Sequence, residues 1–271
     1  MVISGAFTRH TTRRTELRPP VAASFRPAGT IASALQNGVF VEADVLLVHH
    51  SRDAVAWIIR LLSGSYWNHA ALVVHSLSDG PESELQVIEA HWRGIRRVPL
   101  QQYLENHERS SVIAVRRVPG IILDRAARHR IARLAAEAVG RPYDFPLLLR
   151  MARLALRDMV RRYRSGRPAL PALLRLSARL AGSSRGFICS GLVQWAYWAG
   201  VKSDLRERVV FVPGIDGPGS EALVREATPD HLARSANLEW AYLVHRGQVW
   251  AMESARVDPI GLSEPYLNQV A

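Results

Sequence analysis

The chain has 271 residues, 48% of them apolar, which is enough for a sizeable core without cross-links, and its single cysteine excludes an internal disulfide. A net charge of +11, carried almost wholly by arginine because Lys202 is the only lysine, predicts attraction to anionic surfaces. No uninterrupted run of about 18 apolar residues occurs, so no transmembrane helix is expected.

Residues 1–30 are polar and basic, with Arg9, Arg13, Arg14, Arg18 and Arg26 among threonines and prolines, and lack the apolar region of a cleavable signal. They read as a flexible basic arm preceding one α+β domain over 31–271. The expected location is cytoplasmic or peripheral to a membrane, with export by another route left open.

Val39 to Val48 reads as a turn feeding a buried strand, because a short apolar, β-branched run follows a polar pair. Residues 53–62 have the apolar spacing of a short helix ending at Ser63-Gly64-Ser65. Tyr66 to His75 predicts a strand with His69 near its start, and Leu85 to Ala90 a second one that pairs antiparallel after the turn Ser78-Asp79-Gly80-Pro81. His69 and Glu89 then lie at the same end of a hairpin, within reach of each other. A short amphipathic piece over 101–105 and a strand over 111–118 follow. The period of Ile122, Ala126, Ile131, Leu134, Ala135 and Ala138 predicts a helix over 124–139, stopped by Gly140 and Pro142.

Residues 146–185 carry ten arginines against one acid, Asp158, interleaved with leucines and methionines, and Pro168 and Pro171 split them into two helical pieces. Such a basic amphipathic insertion fits a membrane-surface or anionic-ligand lid, and equally a pair of surface helices packed on the core. Thr228 to Ala233 predicts a short capped helix. Glu239 to Trp250, turned at Arg246-Gly247, predicts a closing hairpin.

Cys189 stands where the Gly/Ser-rich loop Gly182-Ser183-Ser184-Arg185-Gly186 gives way to an apolar helical run. At a helix N-terminus, unpaired N–H groups favour thiolate over thiol and can hold an oxyanion. A lone cysteine is otherwise a small buried hydrophobe. A thiol nucleophile needs a base, and the base a third group to fix it. Among ten histidines, His69 stands out through its strand-start position and its candidate partner Glu89. His231 and His245, which follow Cys189, are the alternative bases. His49, His50, His69 and His75 have no convincing metal-ligand spacing, and neither a metal nor a cofactor is expected.

Taken together, Gly140-Arg141-Pro142-Tyr143, Cys189-Ser190-Gly191-Leu192-Val193, Asn68-His69-Ala70-Ala71 and Ile88-Glu89-Ala90 resemble the NlpC-type papain-like cysteine peptidases. The order is circularly permuted, as in YiiX/YaeF-like and lecithin:retinol acyltransferase-like proteins, because the histidine strand precedes the cysteine. The resemblance spans roughly residues 39–245. It implies an antiparallel sheet packed against the nucleophile helix, with Cys189 as nucleophile, His69 as general base, Glu89 as orienting residue and Tyr143 as a site-lining hydroxyl near the oxyanion. Two departures stand out. Ala43 replaces the glycine of the family's Gly-Asp turn, and Ile188 stands where cell-wall-cleaving members have an aspartate beside the cysteine.

The resemblance therefore implies a thiol hydrolase or acyltransferase working through a thioester. The basic, apolar insertion directs it to an ester or amide of a lipid, with an anionic membrane surface as partner. A cell-wall peptide endopeptidase on the same residues is the alternative, and a non-catalytic binder of anionic surfaces a third reading. No specific nucleic acid is expected, and the oligomeric state is left open.

Overall fold

The computed structural model describes residues 25–50, 65–75, 84–108, 111–153, 157, 186–212 and 221–252. The expected helix over 53–62, the turn at 78–81, residues 1–24 of the arm and most of the 146–185 insertion lie outside them.

Eight strands form one sheet: β1 (Phe25–Thr30), β2 (Val45–His50), β3 (His69–His75), β4 (Leu85–His91), β5 (Gly94–Pro99), β6 (Ser111–Arg117), β7 (Glu239–His245) and β8 (Gln248–Met252). Their order is β1-β8-β7-β6-β2-β3-β4-β5, and every pairing is antiparallel. The helices are α1 (Ile31–Gln36), α2 (Leu100–Glu108), α3 (Arg125–Glu137), α4 over 145–153, α5 (Cys189–Gly200), α6 (Arg206–Val209), α7 (Glu221–Arg225) and α8 (Pro229–Arg234). This is an α+β architecture in which one antiparallel sheet carries α5, the helix that begins at Cys189.

Strand alternation divides the core into two layers. Val45 and Leu47 of β2, with Ala70, Leu72 and Val74 of β3, face one layer together with Ile131 of α3 and Leu192, Val193 and Ala196 of α5. Leu46, Val48, Ala71 and Val73 face the other, against Leu100, Tyr103 and Leu104 of α2. Gly200 allows α5 to lie directly on α3, since a Cβ there would sit 2.8 Å from the Ile131 Cα.

Two strands were not legible in the sequence. Phe25–Thr30, expected as the end of the arm, is the edge strand β1, paired with β8 from Phe25↔Met252 to Thr30↔Gln248. The sheet therefore begins six residues before the boundary expected at residue 31. Gly94–Pro99 is β5, returning from β4 through a two-residue turn at Trp92 and Arg93, with His91 opposite Gly94. The Arg246-Gly247 turn matches its expectation, and both residues have positive φ, 49° and 76°, as a tight hairpin turn requires.

Ala43, in place of a turn glycine, has φ 67°, a conformation that costs an L-residue about 1–2 kcal/mol. Two bonds hold it there: its N–H donates to the Val73 carbonyl at 2.8 Å, and its carbonyl accepts the Tyr197 hydroxyl from α5. Asp44 beside it is buried and takes both Nε and Nη2 of Arg117 at 2.6 Å, as well as the Val41 N–H at 2.9 Å. The turn thus ties β2 to α5.

Candidate active site

Cys189 is the first residue of α5, with Ile188 at the N-cap in extended conformation and no side-chain cap. No N-cap side chain takes the first-turn N–H groups, as the loop-to-helix transition predicts. The thiol is buried. Burial alone would push its pKa up, but a hydrogen bond to His69, the charge of that ring, and the N–H groups of Ala70 and Ser190 outweigh burial and hold it below the ordinary value.

The antiparallel hairpin brings His69 and Glu89 together as expected. Glu89 pairs with Ala71 across β3 and β4, so His69, two residues earlier on β3, is its diagonal neighbour on the same face. His69 Nε2 lies 2.7 Å from Glu89 Oε2. Because Nε2 is engaged there, Nδ1 is the nitrogen left for Cys189. Burial would lower the His69 pKa, but its hydrogen bonds to Cys189 and Glu89 raise it to about 10. Burial would likewise raise Glu89, and His69 and then Arg96 hold it at about 2. Cysteine thiolate, imidazolium and carboxylate form one chain of opposite charges.

Arg96 was missed by sequence reasoning. It is the direct cross-strand partner of Glu89, and its Nε and Nη2 donate to Glu89 Oε1 at 2.7 and 2.6 Å. The available signal was Gly94 after Trp92-Arg93, which closes a tight hairpin and sets residue 96 opposite 89. Without β5 the arginine had no place.

Tyr143 is near enough to Cys189 to feel its charge. It forms a bridge with Phe187, and the Asp144 N–H donates to the Phe187 carbonyl at 3.1 Å. Burial, and then the negative charge of Cys189, raise its pKa, so the hydroxyl keeps its proton and can donate it in a hydrogen bond. Gly186 permits this pairing, since a Cβ there would come within 2.7 Å of the Pro142 carbonyl oxygen.

Behind Cys189, the end of α7 and the segment after it pack against the first turn of α5. Ser190 Oγ donates to the Ala227 carbonyl at 2.6 Å, and a Cβ at Gly191 would lie 2.0 Å from the Arg225 carbonyl oxygen. The Cys-Ser-Gly sequence is thus set by close approach on two sides as well as by chemistry. Phe187, two residues before the cysteine, packs on Trp195 with ring centroids 4.9 Å apart and lies under the Arg225 guanidinium at 4.5 Å.

The two alternative bases are accounted for elsewhere. His231 is buried and its Nδ1 accepts the Thr228 N–H at 3.1 Å, completing the capping box of α8; burial lowers its pKa to about 4. His245 closes β7 opposite Gln248. Neither is the ring bonded to Cys189. Among the described residues, no three His, Cys, Asp or Glu side chains group as a metal-ligand set.

Residues 41–153 match the family described as "Permuted papain-like amidase enzyme, YaeF/YiiX, C92 family". That segment contains His69, Glu89 and Tyr143, and Cys189 lies beyond it. No curated protein matches the chain. Among solved structures, the metalloprotein YiiX from Escherichia coli O157:H7 is 18% identical and aligns over 74% of this chain and 95% of its own, with a TM-score of 0.44.

Proposed function

We propose that this chain, whose residues 41–153 match the permuted papain-like amidase family, is a cysteine hydrolase or acyltransferase acting on an ester or amide of a lipid. The family's enzymes are amidases by description, which supports cysteine-dependent cleavage of a carbonyl bond. The observation that carries the catalytic assignment is the continuous contact from Cys189 to His69 and on to Glu89 at 2.7 Å.

In this reading the Cys189 thiolate attacks the carbonyl carbon, forming a C–S bond and an oxyanion. The Cys189 N–H at the start of α5 and the Tyr143 hydroxyl donate to that oxygen. As the tetrahedral species collapses, the bond to the leaving amine or alkoxide breaks, and His69 gives that group its Nδ1 proton. Neutral His69 then takes a proton from water or an acceptor alcohol, whose oxygen attacks the thioester and returns the thiolate. Glu89, held by Arg96, keeps Nε2–H as a donor and the ring in one orientation throughout.

The lipid assignment is supported by apolar Ile188 beside the nucleophile, where an aspartate would hold a peptide amine. Exposed Phe145, with its ring 4.9 Å from that of Tyr143, supports it further. An amide in a cell-wall peptide is the competing substrate, and the family's description as an amidase fits an amide of either kind. Purified protein incubated in parallel with muropeptides and with phospholipid and N-acylated lipid vesicles separates the two by mass spectrometry of the products. Released fatty acid or transferred acyl chains are the expected result, and cleaved peptide with intact lipid reverses the assignment.

A further inference from the structure

Three large apolar side chains are exposed at the end of the sheet that holds the site. Trp92 is 57% exposed, Phe145 51% and Leu149 54%. Their placement is not scattered. Trp92 forms the β4–β5 turn immediately after His91, and the field of His69, Glu89 and Arg96 reaches His91. The beginning of β5 is bonded to the segment leading to Tyr143, with the Ile95 N–H donating to the Arg141 carbonyl at 2.9 Å. Phe145 lies 4.9 Å from the Tyr143 ring, and Leu149 follows one turn later on the same face of α4.

Arginines stand among them. Arg93 lies over the Trp92 ring at 4.5 Å, Arg141 is exposed between β5 and Tyr143, and Arg153 is exposed at the end of α4. A tryptophan, a phenylalanine and a leucine interleaved with guanidiniums is the composition that seats in the headgroup region of an acidic bilayer. The net charge of +11 acts in the same direction.

We infer that this arginine-studded apolar rim, formed by the β4–β5 turn and α4 around the mouth of the site, docks the protein on an anionic lipid bilayer. The inference rests on the proposed lipid chemistry, since a lipid substrate resides in the bilayer that this rim would meet.

Flotation of the full chain with phosphatidylcholine vesicles, with and without phosphatidylglycerol, tests it. Wild type should float only with the anionic vesicles. Arg93→Gln, Arg141→Gln and Arg153→Gln combined should weaken binding by about fivefold per residue replaced. Trp92→Ser with Leu149→Ser should weaken it at low salt, where charge alone would hold a purely electrostatic binder. Both variants should cleave a small soluble ester at the wild-type rate. Cys189→Ala should float as wild type does, so loss of its ester cleavage judges the catalytic reading separately. Unchanged flotation of either rim variant would overturn the docking surface, as would equal binding to neutral vesicles or tighter binding to duplex DNA than to anionic vesicles.

Discussion

Cys189→Ala should lower turnover by at least about a thousandfold, the scale expected when a nucleophile is deleted and only binding and oxyanion donors remain. No other described thiol exists to take its place, because Cys189 is the chain's only cysteine. The fold should survive. The side chain packs in the layer formed by α3, α5 and the sheet, and losing one sulfur from that layer costs only on the order of 1 kcal/mol. Activity measured beside far-ultraviolet circular dichroism and a melting curve checks both halves. A variant with wild-type spectra and wild-type turnover would remove Cys189 from the mechanism.

The second large effect belongs to Glu89→Gln. The amide keeps the shape but loses the charge that His69 and Arg96 both use, so turnover should fall between about a hundredfold and ten-thousandfold. The pH dependence gives the sign. Glu89 is held at about 2 in the folded protein, below its ordinary 4.5, so it contributes stability above that ordinary value and loses it as pH falls toward 2. His69 is raised from 6.5 to about 10, so its contribution is complete below 6.5 and fades as pH rises toward 10. The two describe one shared contact and are not summed. In Glu89→Gln the imidazolium loses its carboxylate, the His69 pKa falls and the thiol pKa rises. Iodoacetamide alkylation of Cys189 should therefore shift to higher pH, and the melting-temperature gap to wild type should shrink as pH drops from 4.5 toward 2. An unchanged alkylation profile would show that Glu89 does not act through His69.

Much of the site was legible because its parts follow local rules. The loop-to-helix transition marked Cys189, and the period-two strands around a turn put His69 and Glu89 at one end of a hairpin. Thr228 announced the α8 cap, although the reciprocal bond from the Thr228 N–H to His231 Nδ1 did not follow from its spacing alone. Arg96 and β1 were not legible for a physical reason. Gly94–Pro99 contains two arginines and a proline, and Phe25–Thr30 contains Arg26, Pro27 and Gly29, so neither has strand propensity of its own. Both are edge strands in the sheet, where pairing with β4 or β8 supplies what the local sequence does not. The positive φ of Ala43 was hidden in the same way, since its bonds to Val73 and Tyr197 come from distant segments.

The most direct measurement is intact-mass spectrometry of the protein quenched in acid during turnover of an activated acyl ester. Peptide mapping of the quenched sample would follow. The proposed chemistry predicts a single added acyl group on Cys189, released by neutral hydroxylamine as a thioester is, and accumulating when His69 is replaced by alanine only as slowly as the thiol ionises. Turnover with no acyl group on Cys189, or with the acyl group on a serine or tyrosine instead, would contradict it.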